Sequence, residues 1–259
     1  MKSENPPFIT NYLASISLVL CVLLLWEIFV RFELVSRIMV PAPSMILLTT
    51  FNNSRELLHN SWATSLEVLF GYAVGLIIGV VFGITLAYSV YLERILLPII
   101  VISQTIPYIA LAPVFVSLFG YGFTPKLILV ALITFFPITL AVKDGVSSVD
   151  PEILRFSRSL GATEWQMFRK LKWPASMPLI FTGVKVSATY AVFAAVVAEL
   201  FGAKSGLGVM MMRAHTKMKI DLVFSTIFVM SLMGISILLI VMLLEFFIVP
   251  WRYAKLQRE

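Results

Sequence analysis

Six long, mostly apolar stretches recur along this chain, at 13–30, 66–90, 95–119, 127–147, 178–201 and 222–249. An α-helix needs about 20 such residues to cross a hydrocarbon layer. Within hydrocarbon every backbone N–H and C=O must be satisfied inside the protein, which makes helices the form that runs of this length take. Composition agrees, with 59% hydrophobic and 13% charged residues and a mean hydropathy of +0.95. A soluble domain carries about a quarter charged residues. The chain is expected to be an all-α membrane protein with about six transmembrane helices.

The net charge of +6 does not point to nucleic acid, because the basic residues fall between apolar runs, as cytoplasmic loops require. With six spans and both termini on one side, that side holds Lys2, Arg94, Lys143, Arg155, Arg158, Arg169, Lys170, Lys172, Lys185, Arg252, Lys255 and Arg258. The other holds Arg31, Arg37, Arg55, Lys126, Lys204, Arg213, Lys217 and Lys219. The excess places the polar stretch 150–174 and both termini in the cytoplasm. Cys21 is the one cysteine, so no intramolecular disulfide forms. The first apolar run is too long for a signal h-region and no small-residue cleavage site follows it, so no cleavable leader is expected.

Several spans carry features that limit their packing. Gly71, Gly75, Gly79 and Gly83 repeat every fourth residue, so they share one helix face where another backbone can come close, inside the subunit or across a dimer seam. Gln104, Pro107 and Pro113 interrupt the third run and Pro137 the fourth. Prolines leave carbonyls unpaired and bend helices, which serves either a cavity or gate, or packing alone. Glu199 ends the fifth run ahead of a glycine-rich loop, Gly202 to Gly208. It either faces a transport path or accepts backbone N–H groups and pins that loop. Lys185, Glu67 and Glu245 are read as structural groups that snorkel to the interface. Between the first two runs, Pro43-Ser44 opens a short interfacial helix.

Residues 150–174 are the longest polar interruption and have the grammar of two short amphipathic helices. Asp150 is an N-cap with Pro151 at the first helical position. Ile153, Phe156 and Leu160 repeat at helical spacing, and Gly161 supplies a turn. Thr163 with Gln166 makes a capping box for a second helix carrying Phe168 and Leu171, which Pro174 is expected to end.

Chemistry that is missing narrows the function. No G-x-x-x-x-G-K-[ST] phosphate loop, H-E-x-x-H or G-x-S-x-G elbow is present. His59 and His215 are isolated and read as loop residues, with no metal site expected. No nucleophile–base pair at membrane depth can be assembled, so no catalytic residue is assigned and the chain is not expected to be an enzyme.

A resemblance carries the reading further. Gly161, nine intervening residues, Leu171 and Lys172-Trp173-Pro174 resemble the EAA…G…I-x-L-P loop of permease subunits of ATP-binding cassette (ABC) importers. The family's Glu-Ala-Ala falls on Arg155-Phe156-Ser157, which reverses a charge, and its leucine before proline falls on Trp173. Pro41-x-Pro43-Ser44, Gln104-Thr105-Ile106-Pro107, Ala110-Leu111-Ala112-Pro113, Phe119-Gly120, Phe135-Phe136-Pro137-Ile138, Val149-Asp150-Pro151-Glu152, Ala198-Glu199, Gly206-Leu207-Gly208 and Asp221-Leu222-Val223-Phe224 continue it. In that order they are similar to permeases that import nitrate, sulfonates, taurine or pyrimidine precursors.

The resemblance implies a type I importer fold in a bacterial inner membrane, with 150–174 as cytoplasmic coupling helices. Implied partners are ABC ATPase subunits that carry ATP and Mg, an extracytoplasmic substrate-binding protein, membrane lipid and a second permease copy, expected to be identical. No cofactor is expected on this chain itself. Glu152, Arg155, Phe156, Arg158, Leu160, Gly161, Ala162, Trp165, Phe168 and Pro174 are the implied ATPase-coupling set, and Gln104, Tyr108 and Glu199 are candidates for the path. Tyr108 hints at a flat or heterocyclic solute. The expected division is 1–60 for the first helix and an external segment, 61–250 for the permease core and 251–259 for a cytoplasmic tail. The rival is an ion-gradient-driven secondary transporter, which would be expected to repeat its interrupted spans in two halves. Here the kinks cluster in runs three and four.

Overall fold

The computed structural model describes residues 8–34, 36 and 39–252. Lys2, Arg37, Lys255 and Arg258 of the charge count, and residues 253–259 of the expected tail, lie outside them. Among the described residues there are eleven α-helices, one π-helical turn and no strand. Five helices are long and apolar enough to cross a membrane, six spans if one bent pair counts as one.

Two compact units divide the chain. The first comprises residues 1–58 and 210–229. Its α1 (Phe8–Arg31) carries Leu18, Val19, Val22 and Leu24, each more than half exposed, as a helix against lipid does. The short α2 (Pro43–Asn52) starts at Pro43, whose missing N–H costs nothing there. Glu27 of α1 accepts from Ser44 N (3.0 Å), Ser44 Oγ (2.7 Å) and Arg31 Nε (2.7 Å), and so serves a helix start that Ala42 cannot cap. Ser225 Oγ donates to Ile46 O at 3.1 Å, and Trp26 meets Phe224 edge-on. The helices α10 (Leu207–Thr216) and α11 (Ile220–Ile248) are joined by a turn in which Met218 sits at a φ of 56°.

The second unit comprises 59–209 and 230–259. Helix α3 (Ser54–Tyr88) contributes the glycine face. A Cβ at Gly71, Gly79 or Gly83 would lie 2.6–2.8 Å from the Cβ of Val130, Ile138 or Val142, and one at Gly75 would overlap Thr134. The four glycines therefore seat successive turns of α6 (Phe123–Ser147) inside the subunit. On its other side α6 packs along α9 (Trp173–Gly202), where Ala188, Ala191, Ala194 and Ala195 are fully buried. Gly183 sits against Ala141, and Gly145 against Ser176. Small residues let these backbones approach where hydrophobic burial offers no drive.

The third apolar run, expected as one bent span over 95–119, is broken. Helix α4 (Val90–Ser103) and α5 (Tyr108–Phe119) meet at 96°. Pro107 explains the break, since it disfavours helical geometry at Ile106 and has no N–H. The carbonyls this strands are partly met locally, by Ser103 Oγ on Ile100 O (2.7 Å) and Thr105 Oγ1 on Ile102 O (2.8 Å). Pro98, Pro113 and Pro137 lie inside helices without breaking them.

Two helices follow α6 in the polar stretch: α7 (Pro151–Ser159) and α8 (Glu164–Met167). A π-helical turn, Phe168–Lys172, then leads without interruption into α9. Pro174 was expected to end the second helix. It sits instead in the first turn of α9, and the wider turn just upstream accommodates its ring and missing N–H. His59 and His215, expected in loops, lie within α3 and α10.

Candidate functional site

The polar hairpin is built by its caps. Glu152 N donates to Asp150 Oδ1 at 2.8 Å, opening α7. Gly161 has a φ of +84°, while its N–H reaches Arg158 O and that of Ala162 reaches Ser157 O. That is a Schellman ending, in which the left-handed position favours glycine. Thr163 N donates to Gln166 Oε1 and Gln166 N to Thr163 Oγ1, so both arms of the capping box are present.

One side of the hairpin is anchored. Met167 is buried, and Phe168 contacts the rings of Trp165, Trp173 and Tyr88 at 5.6–6.0 Å. Lys172 Nζ lies 4.5 Å from the Tyr88 ring centroid. The other side is open among the described residues, although Trp165 keeps one face on Phe168. No residue of α7 is buried, and Ile153, Phe156, Leu160 and Trp165 are 50–72% exposed. A groove of about 410 Å³ opens beside them, lined in part by Leu160, Gly161, Ala162 and Gln166. Glu152 and Arg155 are exposed, and Arg158 pairs with Glu164 at 2.9 Å across the turn. Of the ten residues read as a coupling set, Phe168 and Pro174 face the body of the subunit or start α9, and the others surround the exposed turn.

A second feature lies where the proline-bent helices face α9. A cavity of about 540 Å³ is lined by Gln104, Tyr108, Phe136, Thr182 and Tyr190, among others. Tyr108 Oη donates to Gln104 Oε1, and Gln104 Nε2 is buried without a partner. Glu199 does not join them. It is 1% exposed and accepts from Thr64 Oγ1 (2.6 Å) and Gly208 N (2.5 Å). Leu207 N donates to Thr64 Oγ1 and Gly206 N to Asn60 Oδ1. A Cβ at Gly206 or Gly208 would strike this carboxylate. Glu199 thus holds the glycine-rich loop against α3, the second of the two readings its sequence allowed.

Residues 61–252 match the family described as "Binding-protein-dependent transport system inner membrane component". The chain belongs to that family. It is a transmembrane permease subunit of an ABC importer, a multi-pass inner membrane protein. The permease is 34% identical to the formylaminopyrimidine transport permease protein ThiX of Halalkalibacterium halodurans, over 90% of this chain and 93% of that one. It is 30% identical to the putative aliphatic sulfonates transport permease protein SsuC of Bacillus subtilis, over 89% and 84%. Among solved structures it resembles the inward-facing MetNI methionine ABC transporter, with a TM-score of 0.57 at 21% identity, covering 73% of this chain and 97% of that one. This likeness identifies the fold as that of a type I importer.

The permease also buries charges that the sequence reading left at the interface. Lys126 Nζ pairs with Glu67 Oε1, their side chains 8% and 3% exposed. Glu245, 1% exposed, pairs with Lys185 Nζ at 2.9 Å and with Arg252, which also reaches Pro178 O at 3.3 Å. The buried members, Glu67, Lys126 and Glu245, do not snorkel; each is paired with an opposite charge, as buried charges are. A signal was available. In a six-span topology Glu67 and Lys126 fall at span ends on one side of the membrane, and Lys185 and Glu245 at span ends on the other.

Proposed function

We propose that this permease is the membrane half of an importer driven by separate ATPase subunits, which dock on α7 and α8 and carry ATP and Mg. Two identical copies enclose the path, both termini face the cytoplasm, and an extracytoplasmic binding protein delivers the solute. ATP closes the ATPase pair, and the hairpin passes that motion to the bent helices. The solute is a small organic or anionic compound, a pyrimidine precursor or other heterocycle, a sulfonate, taurine or nitrate. The names of similar permeases, for a formylaminopyrimidine, aliphatic sulfonates and taurine, support the pyrimidine, sulfonate and taurine parts of that range.

One observation carries the docking assignment. A capped, anchored hairpin leaves Phe156, Leu160 and the outer face of Trp165 exposed on a polar surface, and large apolar side chains grouped in this way mark partner surfaces. Arg155 adds a cation that a partner's acidic group would meet. The test is co-purification of the full-length chain with its ATPase, and ATP-driven uptake in vesicles. Phe156→Asp with Trp165→Asp should cut ATPase recovery and uptake by about tenfold or more, the scale of losing one hot spot, at unchanged permease level in the membrane. Solute uptake by the chain alone, driven by an ion gradient, would overturn the assignment in favour of a secondary transporter.

A further inference from the structure

The cavity at the α4–α5 corner carries an inference about the solute itself, one that rests on the reading of this bundle as the path. Its walls come from the Gln104–Tyr108 break, the Pro137 region of α6 and the middle of α9. Three rings line it: Tyr108, Phe136 and the half-exposed Tyr190. Its volume of about 540 Å³ lies within the ordinary range for small-molecule sites.

The polar groups on its wall are few and specific. Tyr108 Oη engages the carbonyl oxygen of the Gln104 side-chain amide, which leaves the amide Nε2 donors with no partner although they are buried. A buried amide N–H without an acceptor is costly, and an incoming acceptor removes that cost. Thr182 Oγ1 donates to Pro178 O at 2.9 Å, which leaves its own lone pairs free to accept. No lysine or arginine lines the cavity among the described residues, and Asp144 at its edge pairs with Lys143 Nζ at 3.2 Å.

We propose that this cavity is a solute subsite of the permease that takes a flat, uncharged or weakly basic nitrogen heterocycle and rejects anions. A ring nitrogen or carbonyl accepts from Gln104 Nε2, an exocyclic amine donates to Thr182 Oγ1, and the ring faces lie against Tyr108, Phe136 and Tyr190. A sulfonate or nitrate would enter a largely apolar chamber whose nearest cation, Lys143, is already held by Glu93 and Asp144, and an unpaired anion is strongly disfavoured there. Aromatic faces and an amide suit a heteroaromatic ring, whose faces are apolar and whose edge is polar. The family name and the names of relatives do not supply this discrimination, since relatives of similar identity are named for an aminopyrimidine and for sulfonates.

The test uses the full-length permease in lipid nanodiscs without a binding protein, so that selectivity cannot come from that partner. Saturation-transfer difference NMR is run with 4-amino-2,5-dimethylpyrimidine and with ethanesulfonate as probes. The pyrimidine should bind saturably, and ethanesulfonate at least about tenfold more weakly. Gln104→Leu and Tyr190→Ala should each weaken pyrimidine binding by about tenfold, roughly the loss of one good contact, whereas Tyr190→Phe, which keeps the ring, should bind as wild type. Equal binding of ethanesulfonate overturns the proposal, as does pyrimidine binding that neither Gln104→Leu nor Tyr190→Ala alters. No saturable binding by either probe, the result if a lipid tail or a second copy fills the cavity, overturns it too. ATPase co-purification needs no solute and probe binding needs no ATPase, so failure of that reading and failure of the subsite are separable.

Discussion

Lys126→Met removes the partner of a carboxylate that has almost no access to water. Glu67 is 3% exposed, its Oε1 accepts from Lys126, and its Oε2 has no hydrogen-bond partner. Without the ammonium, the folded protein keeps an uncompensated buried charge or must neutralise it. Breaking one side of a buried pair costs about 3–5 kcal/mol. Soluble domains of comparable size lose roughly 2–4 °C per kcal/mol, so the melting temperature in detergent should fall on the order of 10 °C. The double variant Glu67→Leu with Lys126→Met separates the charge effect from loss of packing. Replacing a whole buried pair by apolar groups is often neutral or stabilising, so the double variant should melt within a few degrees of wild type. The assay is a tryptophan-fluorescence melt of purified protein, with all variants at one pH and ionic strength. Melting of Lys126→Met indistinguishable from wild type would refute the reasoning, and so would a double variant as weak as the single one.

Gly75→Val should be destabilised by about 1–3 kcal/mol or more, because its Cβ would overlap Thr134 and lie 3.0 Å from Ala131 O. Gly234→Ala is the matched control, since its nearest neighbour is 4.0 Å away, and it should be neutral or gain about 0.5–1 kcal/mol from helix propensity; thermal melts of the two decide whether the glycine face is a packing seam. Gly161→Val meets open space but keeps a φ of +84°, a strain of about 1–2 kcal/mol. Its effect should appear as less solute moved per ATP hydrolysed in proteoliposomes, at unchanged membrane level; unchanged coupling would remove Gly161 from the transmission.

What could be read from the residues followed how local the controlling physics was. Asp150, Pro151, Thr163 and Gln166 act within one turn of themselves, and the caps they form were legible in their spacing. The glycine face was legible as a face, but its partner required knowing that Val130, Thr134, Ile138 and Val142 repeat in step on α6. Proline misled twice because its effect depends on what surrounds it. Pro107 broke a helix that was read as bent, whereas Pro174 left one intact because a π-turn lay before it. Buried ion pairs escaped because each half looks like a lone charge at a span end. Glu67 finds Lys126 59 residues later, and Lys185 finds Glu245 60 residues later. The cavity was legible only as Gln104 and Tyr108, four residues apart; Tyr190 and Thr182 reach it from a helix whose orientation periodicity alone does not give.

The unbroken passage from α8 through the π-turn into α9 puts Trp165 and Tyr190 on one continuous helical run, with the π-turn, Pro174 and Pro178 near its start. At 1.5 Å per residue they stand roughly 38 Å apart, so a 5° tilt displaces one end by roughly 3 Å relative to the other. A tilt of the hairpin carried along this run would move Tyr190, one aromatic wall of the cavity, by about the thickness of a ring.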